Sequence, residues 1–461
     1  MKTNKTPDPG SGTFFDEYVD LRDPEGTILT KLIMEYYDKV RPTKRKRHRK
    51  TLEFRIRRLA ANALRAYYFR DCPAVLFIAK ADAEQQANKP GWMRHGALGK
   101  LVRPLANAKL FHRIRGKKMP WNSNQASWAS SYWATKTLLR MALQSGVRKE
   151  SIYRPIPLDE LVQLYAPKPN AKFDTMKGEF IHPAKGKRIW FDPTPETKEW
   201  TATLEAINVH YRQQTIALGL TPAELEAWLA KRNADPDRKG APYRLPEMFS
   251  TDIRRIFNNG DEANPRFDEG GRLFGGWWMH IPEELREAIT INGEKTVEID
   301  YSHCHPRMLY HQRDLNGEGE LYILPEITAY EAETGVEPGT YRPYVKWLMQ
   351  VLINGKRRPA AVMPPSKIAT PPDLSIHQVV DFIKARHEPI ADTFGTGAGL
   401  GLMRLESDIA LEIISTAMTE GWTVLSVHDS FITTIDNQDR LKSLMIDAYV
   451  RRLGREPVFK E

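Results

Sequence analysis

Two β-branched stretches of the chain each run into an aspartate. Thr296 to Tyr301 is apolar and β-branched apart from the acids Glu298 and Asp300, which predicts a strand whose side chains alternate between two faces. Asp300 falls where this pattern gives way to a polar turn. Farther on, Thr423 to Ile435 places two apolar runs on either side of Val427-His428-Asp429-Ser430. That pattern predicts a hairpin with His428 and Asp429 at its tip. Should the hairpin lie beside the first strand, two carboxylates meet at one edge of a sheet. The alternative is two ordinary turn aspartates.

Helical periodicity marks the rest. Leu52, Ile56, Leu59 and Leu64 recur with arginines between them, predicting a helix to about Phe69. Helices are also expected over Lys198–Leu218, Thr221–Arg232, Pro282–Ile289 and Leu402–Glu420. The second of these opens on Thr221-Pro222-Ala223-Glu224, a capping box with proline in its first turn. Another helix is expected between Thr340 as cap and Gly355 as terminator, with Pro343 in the first turn. Its body is apolar (Val345, Leu348, Met349, Val351, Leu352, Ile353), yet Arg342, Lys346, Gln350 and Asn354 recur every fourth position. Such spacing holds them on one side of the helix. They form either a solvated stripe or a cationic rail able to hold phosphate.

Proline- and glycine-rich interruptions fall at Ala166–Pro195, Asn233–Leu245 and Arg357–Pro372, with a domain boundary expected near the second. Gly395 to Gly401 lacks dinucleotide-fingerprint spacing and is expected to be a hinge. Gly270-Gly271-Arg272 and Gly275-Gly276 bracket a loop in which backbones can approach closely, with Arg272 held out of it or simply at the surface. Residues 1–12 have the composition of a disordered tail.

Charge sharpens the picture. The 461 residues carry a formal net charge of +10, which favours a polyanionic partner. Eight of the ten residues Arg41 to Lys50 are basic, and Lys100–Lys118 is rich in Lys, Arg and His; such runs are solvated faces or phosphate contacts. Trp128, Tyr132 and Trp133 are either core aromatics or base-stacking platforms. With two cysteines, Cys72 and Cys304, a disulfide framework is excluded. His303, Cys304 and His305 lack further ligands at zinc spacing. No signal-peptide core or membrane-length apolar run occurs, so a cytoplasmic protein without membrane attachment is expected. The two aspartates, if adjacent, have the chemistry to hold hard cations such as magnesium.

The order of these pieces resembles the palm and fingers of family A nucleic-acid polymerases, a superfamily that includes the single-subunit phage-type RNA polymerases. "GGRL" at Gly270–Leu273 is similar to that family's Gly-Arg-Leu loop, residues 297–309 to motif A, Arg342-x3-Lys346-x7-Asn354-Gly355 (342–355) to motif B, and "VHDSF" within 425–432 to motif C. The resemblance spans roughly residues 268–436. It implies an α+β right-hand fold: a small antiparallel palm sheet, with helical fingers and thumb. Residues 13–165 would then be a helical basic domain, 166–245 a loop with thumb-like helices, and 246–461 palm and fingers.

By the same resemblance Asp300 and Asp429 bind two magnesium ions (manganese as substitute) with the Tyr301 carbonyl assisting. Arg342 and Lys346 hold a nucleoside triphosphate, and Lys346 protonates departing pyrophosphate. Gln350, Asn354, His305 and Tyr301 border the nucleotide, while Arg272, His428 and Arg307 contact template and primer. Asn354 stands where the family usually has Tyr. His305 stands where its DNA polymerases carry Glu and its RNA polymerases a small residue; an imidazole there would crowd a ribose 2′-hydroxyl. Asp429-Ser430-Phe431 is more like the RNA-polymerase motif C. The implied activity is template-directed nucleotidyl transfer, DNA synthesis ahead of RNA synthesis. Primase-like initiation in mobile-element or phage replication, with an accessory replication protein, remains open. The contrasting class is a non-catalytic nucleic-acid-binding replication protein.

Overall fold

The computed structural model describes residues 13–16, 18–41, 46–69, 76–77, 95–114, 131–167, 172–174, 179–181, 186–235, 242–356, 364–365 and 367–460. The expected tail at 1–12, residues 42–45 of the basic run 41–50, Trp128 and residues 357–363 lie outside them. The chain divides into two compact units, Met1–Pro157 with Glu247–Asp252, and Leu158–Pro246 with Ile253–Glu461.

The first unit contains β1 (Thr13–Phe14), β2 (Asp20–Leu21), α1 (Glu25–Val40), α2 (Lys46–Phe69), β3 (Leu76–Phe77), α3 (His95–Asn107), β4 (Phe111–Ile114), β5 (Ser131–Ala134), α4 (Lys136–Gln144) and β6 (Ile152–Tyr153). One sheet runs β1-β3-β5-β4, and β2 pairs with β6. The periodic residues Leu52, Ile56, Leu59 and Leu64 of α2 are buried together with Leu29 and Ile33 of α1. The arginines between them bind acids and carbonyls, as where Arg57 reaches Asp20 at 2.7 Å. Tyr132 is a core residue, while Trp133 stacks on His112.

The second unit is α+β. Before its central sheet come β7 (Val162–Tyr165), β8 (Lys172–Asp174), β9 (Glu179–Ile181), β10 (Arg188–Ile189), α5 (Pro195–Gln213), β11 (Ile216–Leu218), α6 (Pro222–Asn233), β12 (Arg254–Phe257) and β13 (Gly270–Phe274). Helix α6 starts at the expected box: the Glu224 amide donates to Thr221 Oγ1, and the Thr221 amide donates to the Glu224 carboxylate. A sheet β10-β7-β12-β13 forms here, parallel at the β7–β12 pair. In β13, Gly270 and Gly271 have φ of 80° and 79°. A Cβ on Gly271 would come within 2.8 Å of the Phe257 ring, so glycine is needed for this approach.

The chain continues through α7 (Glu283–Arg286), β14 (Ile289–Ile291), β15 (Glu294–Asp300), α8 (Cys304–His311), α9 (Pro325–Thr334), α10 (Arg342–Asn354), α11 (Ile376–Arg386), α12 (Gly399–Thr419), β16 (Leu425–Val427), β17 (Ser430–Thr434) and α13 (Gln438–Leu453). The central antiparallel sheet has the order β11-β14-β15-β17-β16. Helix α12 buries Leu402, Ile409, Ile413, Ile414 and Ala417 and packs on β13 and α13.

Four local expectations change. The helix expected over Lys198–Leu218 ends at Gln213, and Ile216–Leu218 forms strand β11 against β14 instead. Thr340 does not cap α10; its hydroxyl donates to the Glu337 carbonyl at 2.6 Å, and Tyr341 occupies the cap. The helix expected over Pro282–Ile289 stops at Arg286, because Ile289 pairs with β11. The glycines of 395–401 serve turns at Gly395 and Gly397 (φ 78° and 82°). Gly399 instead lies where a Cβ would run into the Asn354 side chain.

Candidate active site

Strands β15 and β17 bring the two aspartates together. Thr296 pairs with Thr434 and the ladder continues until Asp300 faces Ser430. One step farther, the Tyr301 amide donates to the Asp429 carbonyl at 3.4 Å. Asp429 thus lies diagonally beyond Asp300 at one end of the sheet, close enough for its charge to act on the Asp300 carboxyl. Each turn beside them carries a histidine in the left-handed region, His303 at φ 53° and His428 at φ 61°. Non-glycine residues held there cost about 1–3 kcal/mol and concentrate at functional sites.

Burial, then the neighbouring Asp429 charge, pushes the Asp300 carboxyl up to about 7. Asp429 is also raised, by burial first and then by Glu406. Asp300 Oδ1 is buried without a hydrogen-bond partner. Two close carboxylates that cannot both ionise comfortably, one with an orphaned oxygen, fit a hard divalent cation with oxygen ligands. Among the described residues no group of three or more His, Cys, Asp or Glu side chains is arranged to hold a metal ion. Any further ligands must come from backbone, water or substrate. His303 and His305 turn to different partners, Glu320 and Glu406.

Around Asp429 lies a buried polar knot. Glu406, 3% exposed on α12, accepts through Oε2 from His305 Nε2 at 2.7 Å and from Arg272 at 2.7 Å. Burial works against its charge, but the His305 and Arg272 contacts outweigh that and hold its carboxyl below the usual range. His428 packs edge-on against Phe274; burial, then Arg272, lowers its pKa, so its ring is neutral at pH 7. Arg255 locks β13 to α12 through Gly271 and Ser407, the chain neighbours of Arg272 and Glu406. Its wholly buried guanidinium donates to the Gly271 carbonyl (2.8 Å) and Ser407 Oγ (2.6 Å), and lies against Trp200 and Phe257.

The polar stripe of α10 lies along Tyr322, with Lys346 near enough for its charge to act on Asp300. Arg342 and Lys346 lie 5.5 and 5.9 Å from the centre of the Tyr322 ring. Gln350 Nε2 reaches the Tyr322 hydroxyl at 3.5 Å. Lys346 is exposed, and its charge favours ionised Asp300. Arg342 donates to Glu320 at 2.7 Å. Burial opposes the charge on Glu320, yet bonds from Arg342, the Tyr322 amide and His303 hold its carboxyl down at about 2. Asn354 closes the stripe, donating to the Gln350 carbonyl at 2.8 Å with its own Oδ1 buried and unpartnered.

Two sequence candidates sit elsewhere. Arg307 is 6% exposed, and its guanidinium donates to the carbonyls of Ser302, Gly317 and Gly319. This corrects its expected role at nucleic acid: bonded to three carbonyls, it braces the turn after α8 and has no face left for phosphate. The Tyr301 side chain points into the core, its hydroxyl donating to the Met445 carbonyl at 2.7 Å and its ring stacking on Phe459. The side chain of Tyr301 thus cannot border a nucleotide; only its backbone stays beside the aspartates.

Residues not singled out from sequence complete the site: Glu406, Arg255, Glu320, Tyr322 and Lys460. Glu406 alone carried a readable signal, since it sits four positions after Leu402 and three before Ile409, on the apolar face of a strong helix. Lys460 arrives from the C-terminal segment, its amide donating to the Asp300 carbonyl at 2.9 Å and its charge favouring ionised Asp300. A scan against protein-family models and a search of curated proteins return no match to this chain.

Proposed function

We propose that the chain is a template-directed nucleotidyltransferase that extends a nucleic-acid 3′ end, with deoxynucleoside triphosphates as its substrates. In this reading the sheet β11-β14-β15-β17-β16 is the palm of a right-hand polymerase and α10 belongs to the fingers. The observation that carries it is the meeting of Asp300 and Asp429 at one sheet end, with the charge of Lys346 felt at Asp300.

Asp300 and Asp429 would hold magnesium, which when bound supplies activation of the attacking hydroxyl and neutralisation of the leaving oxygen. The chain's own contribution is positioning and charge. Lys346, exposed beside the acids, balances the triphosphate and donates a proton to departing pyrophosphate. Arg342 grips phosphate once it leaves Glu320. His428, neutral and fixed against Phe274, borders the primer end. Arg272, anchored on Glu406, faces the duplex.

Primer extension with labelled dNTPs or NTPs and magnesium tests this. Extension with dNTPs supports the reading; NTP incorporation alone would shift it to the single-subunit RNA polymerase type. No extension on any template, with or without primer, leaves a nucleic-acid-binding protein. Lys346→Ala should cut turnover by about 10²-fold while duplex affinity stays close to wild type.

A further inference from the structure

We infer that the β4–β5 ribbon of the first unit, with the start of α4, is a docking surface for single-stranded nucleic acid. Trp133 and His112 offer a stacking platform for a base, and Lys109, Arg113, Lys136 and Arg140 meet the phosphates. The surface belongs to the first unit and does not depend on the polymerase reading. Its signal begins in the sequence, where no Asp or Glu occurs between Glu84 and Glu150. At the chain's overall frequency of 58 acids in 461 residues, such a run of 65 would hold about eight. It holds 13 Lys and Arg instead, more than the formal charge of +10 on the whole chain, so the remainder is net acidic. All eight of those cations that fall among the described residues are exposed, and none has an ion-pair partner there. Cations of the second unit are treated differently, as where Arg451 and Arg452 share Glu412. Uncompensated like charge opposes the compact state, so a fold that keeps such a surface gains from a polyanion that covers it.

The ribbon arranges these charges around two rings. Tyr132 of β5 turns into the core with Leu59 and Leu64 of α2, so its neighbour Trp133 points to the opposite face of the sheet. There it lies half-buried across from exposed His112 of β4, the edge strand. The two rings stack, their centres 5.1 Å apart and their planes 29° from parallel. Arg113 follows His112 directly. At the end of the ribbon Lys109 and Lys136 come together, because the Thr135 hydroxyl donates to the Lys109 carbonyl at 2.7 Å and its amide to the Leu110 carbonyl at 3.2 Å. Arg140 lies one turn beyond Lys136 on the same side of α4. Cations thus flank the stacked pair along both strands. A cross-strand ring pair alone stabilises many sheets, but here an acid-free rim gives it neighbours that bind phosphate. Every base has a π-face and every nucleotide a phosphate, so a ring bordered by cations suits any sequence whose bases are unpaired. In a duplex the bases stack on one another and leave the indole nothing to meet.

The test is fluorescence anisotropy of a labelled single-stranded oligodeoxynucleotide, and of the same sequence as a duplex, titrated with the full-length protein. Magnesium and nucleotide are left out, so turnover plays no part. Trp133→Ala should weaken single-strand binding about tenfold with duplex affinity nearly unchanged, and Trp133→Phe should recover most of the loss. Combining Lys109→Gln, Arg113→Gln, Lys136→Gln and Arg140→Gln should flatten the single-strand log–log salt slope by about 0.7 for each phosphate contact removed. Arg451→Gln, taken from an ion pair of the second unit, should leave that slope as it is. Equal losses on single strand and duplex in Trp133→Ala overturn the inference and make the ring structural. Should Trp133→Ala fail to fold, the four exposed cations decide alone, and an unchanged slope in their combined variant overturns it. A wild type that binds phosphatidylserine vesicles but no single strand overturns it too, and makes the surface a membrane contact. Failed primer extension beside the expected binding results would end the polymerase reading and leave this inference standing.

Discussion

Asp300 is where protonation, stability and the proposed magnesium binding meet. Its carboxyl is pushed up to about 7 in the folded chain, by burial and then by Asp429, against 3.8 for an ordinary aspartate. Between these values the folded chain keeps a proton that the unfolded chain has released. The stabilisation is therefore fully present below about pH 4 and is lost as pH rises through about 7. In chelator-containing buffer, Tm should fall by a few degrees from pH 5 to pH 8, each kcal/mol moving it about 2–4 °C. Asp300→Asn should flatten that slope and be the more stable protein at pH 8. Magnesium must displace the same proton, so the Tm rise it produces should be larger at pH 8 than at pH 6 and absent in the variant. Extension by Asp300→Asn should fall by at least about 10²–10³-fold. An equal magnesium response in variant and wild type would show that the aspartates hold no ion.

Among the elements, α10 and the lock between β13 and α12 make separate claims. Arg342, a proposed triphosphate ligand, is held by Glu320, so substrate must compete with that carboxylate. Glu320→Gln should lower the nucleotide KM by about two- to fivefold, the range of a partly exposed ion pair, with kcat changed less. A raised KM would mean that Glu320 aims Arg342 at the phosphate. Arg255→Met removes hydrogen bonds to β13 and α12 from a wholly buried site; denaturant unfolding should show a loss of about 3 kcal/mol. The strand ending at Asp300, the His428–Asp429 hairpin and helices α6, α10 and α12 could be read from sequence, because each has a strong period or cap. Their partners could not. Asp300 facing Ser430 depends on strand register, which periodicity does not encode. Glu320 and Tyr322 come from an aperiodic stretch, and Lys460 from the far end of the chain. Arg307 misled for a related reason: basic character does not reveal whether a guanidinium meets phosphate or carbonyls.

At the scale of the whole molecule, the formal charge of +10 is a balance of 68 basic and 58 acidic residues. Part of the basic side is already paired within the second unit. Arg451 and Arg452 share Glu412, Arg440 holds Glu420, and Arg455 holds Asp314. Those cations are not free to meet phosphate at full strength, so the count of 68 basic residues overstates the contacts available to a duplex. Affinity should fall with salt on a log–log slope of about −0.9 per phosphate neutralised. A footprint of three to five contacts would lose on the order of 10–10³ in affinity from 50 to 200 mM salt. The dNTP KM should respond less, because Lys346 and Arg342 would act on the triphosphate at direct contact, well inside the screening length. Fluorescence anisotropy of a labelled primer–template, beside KM at the same salts, separates the two. A flat anisotropy curve would mean that the excess charge serves solubility rather than binding. A KM rising with salt as steeply as duplex affinity falls would instead place the nucleotide in open solvent, away from the Asp300–Asp429 end of the sheet.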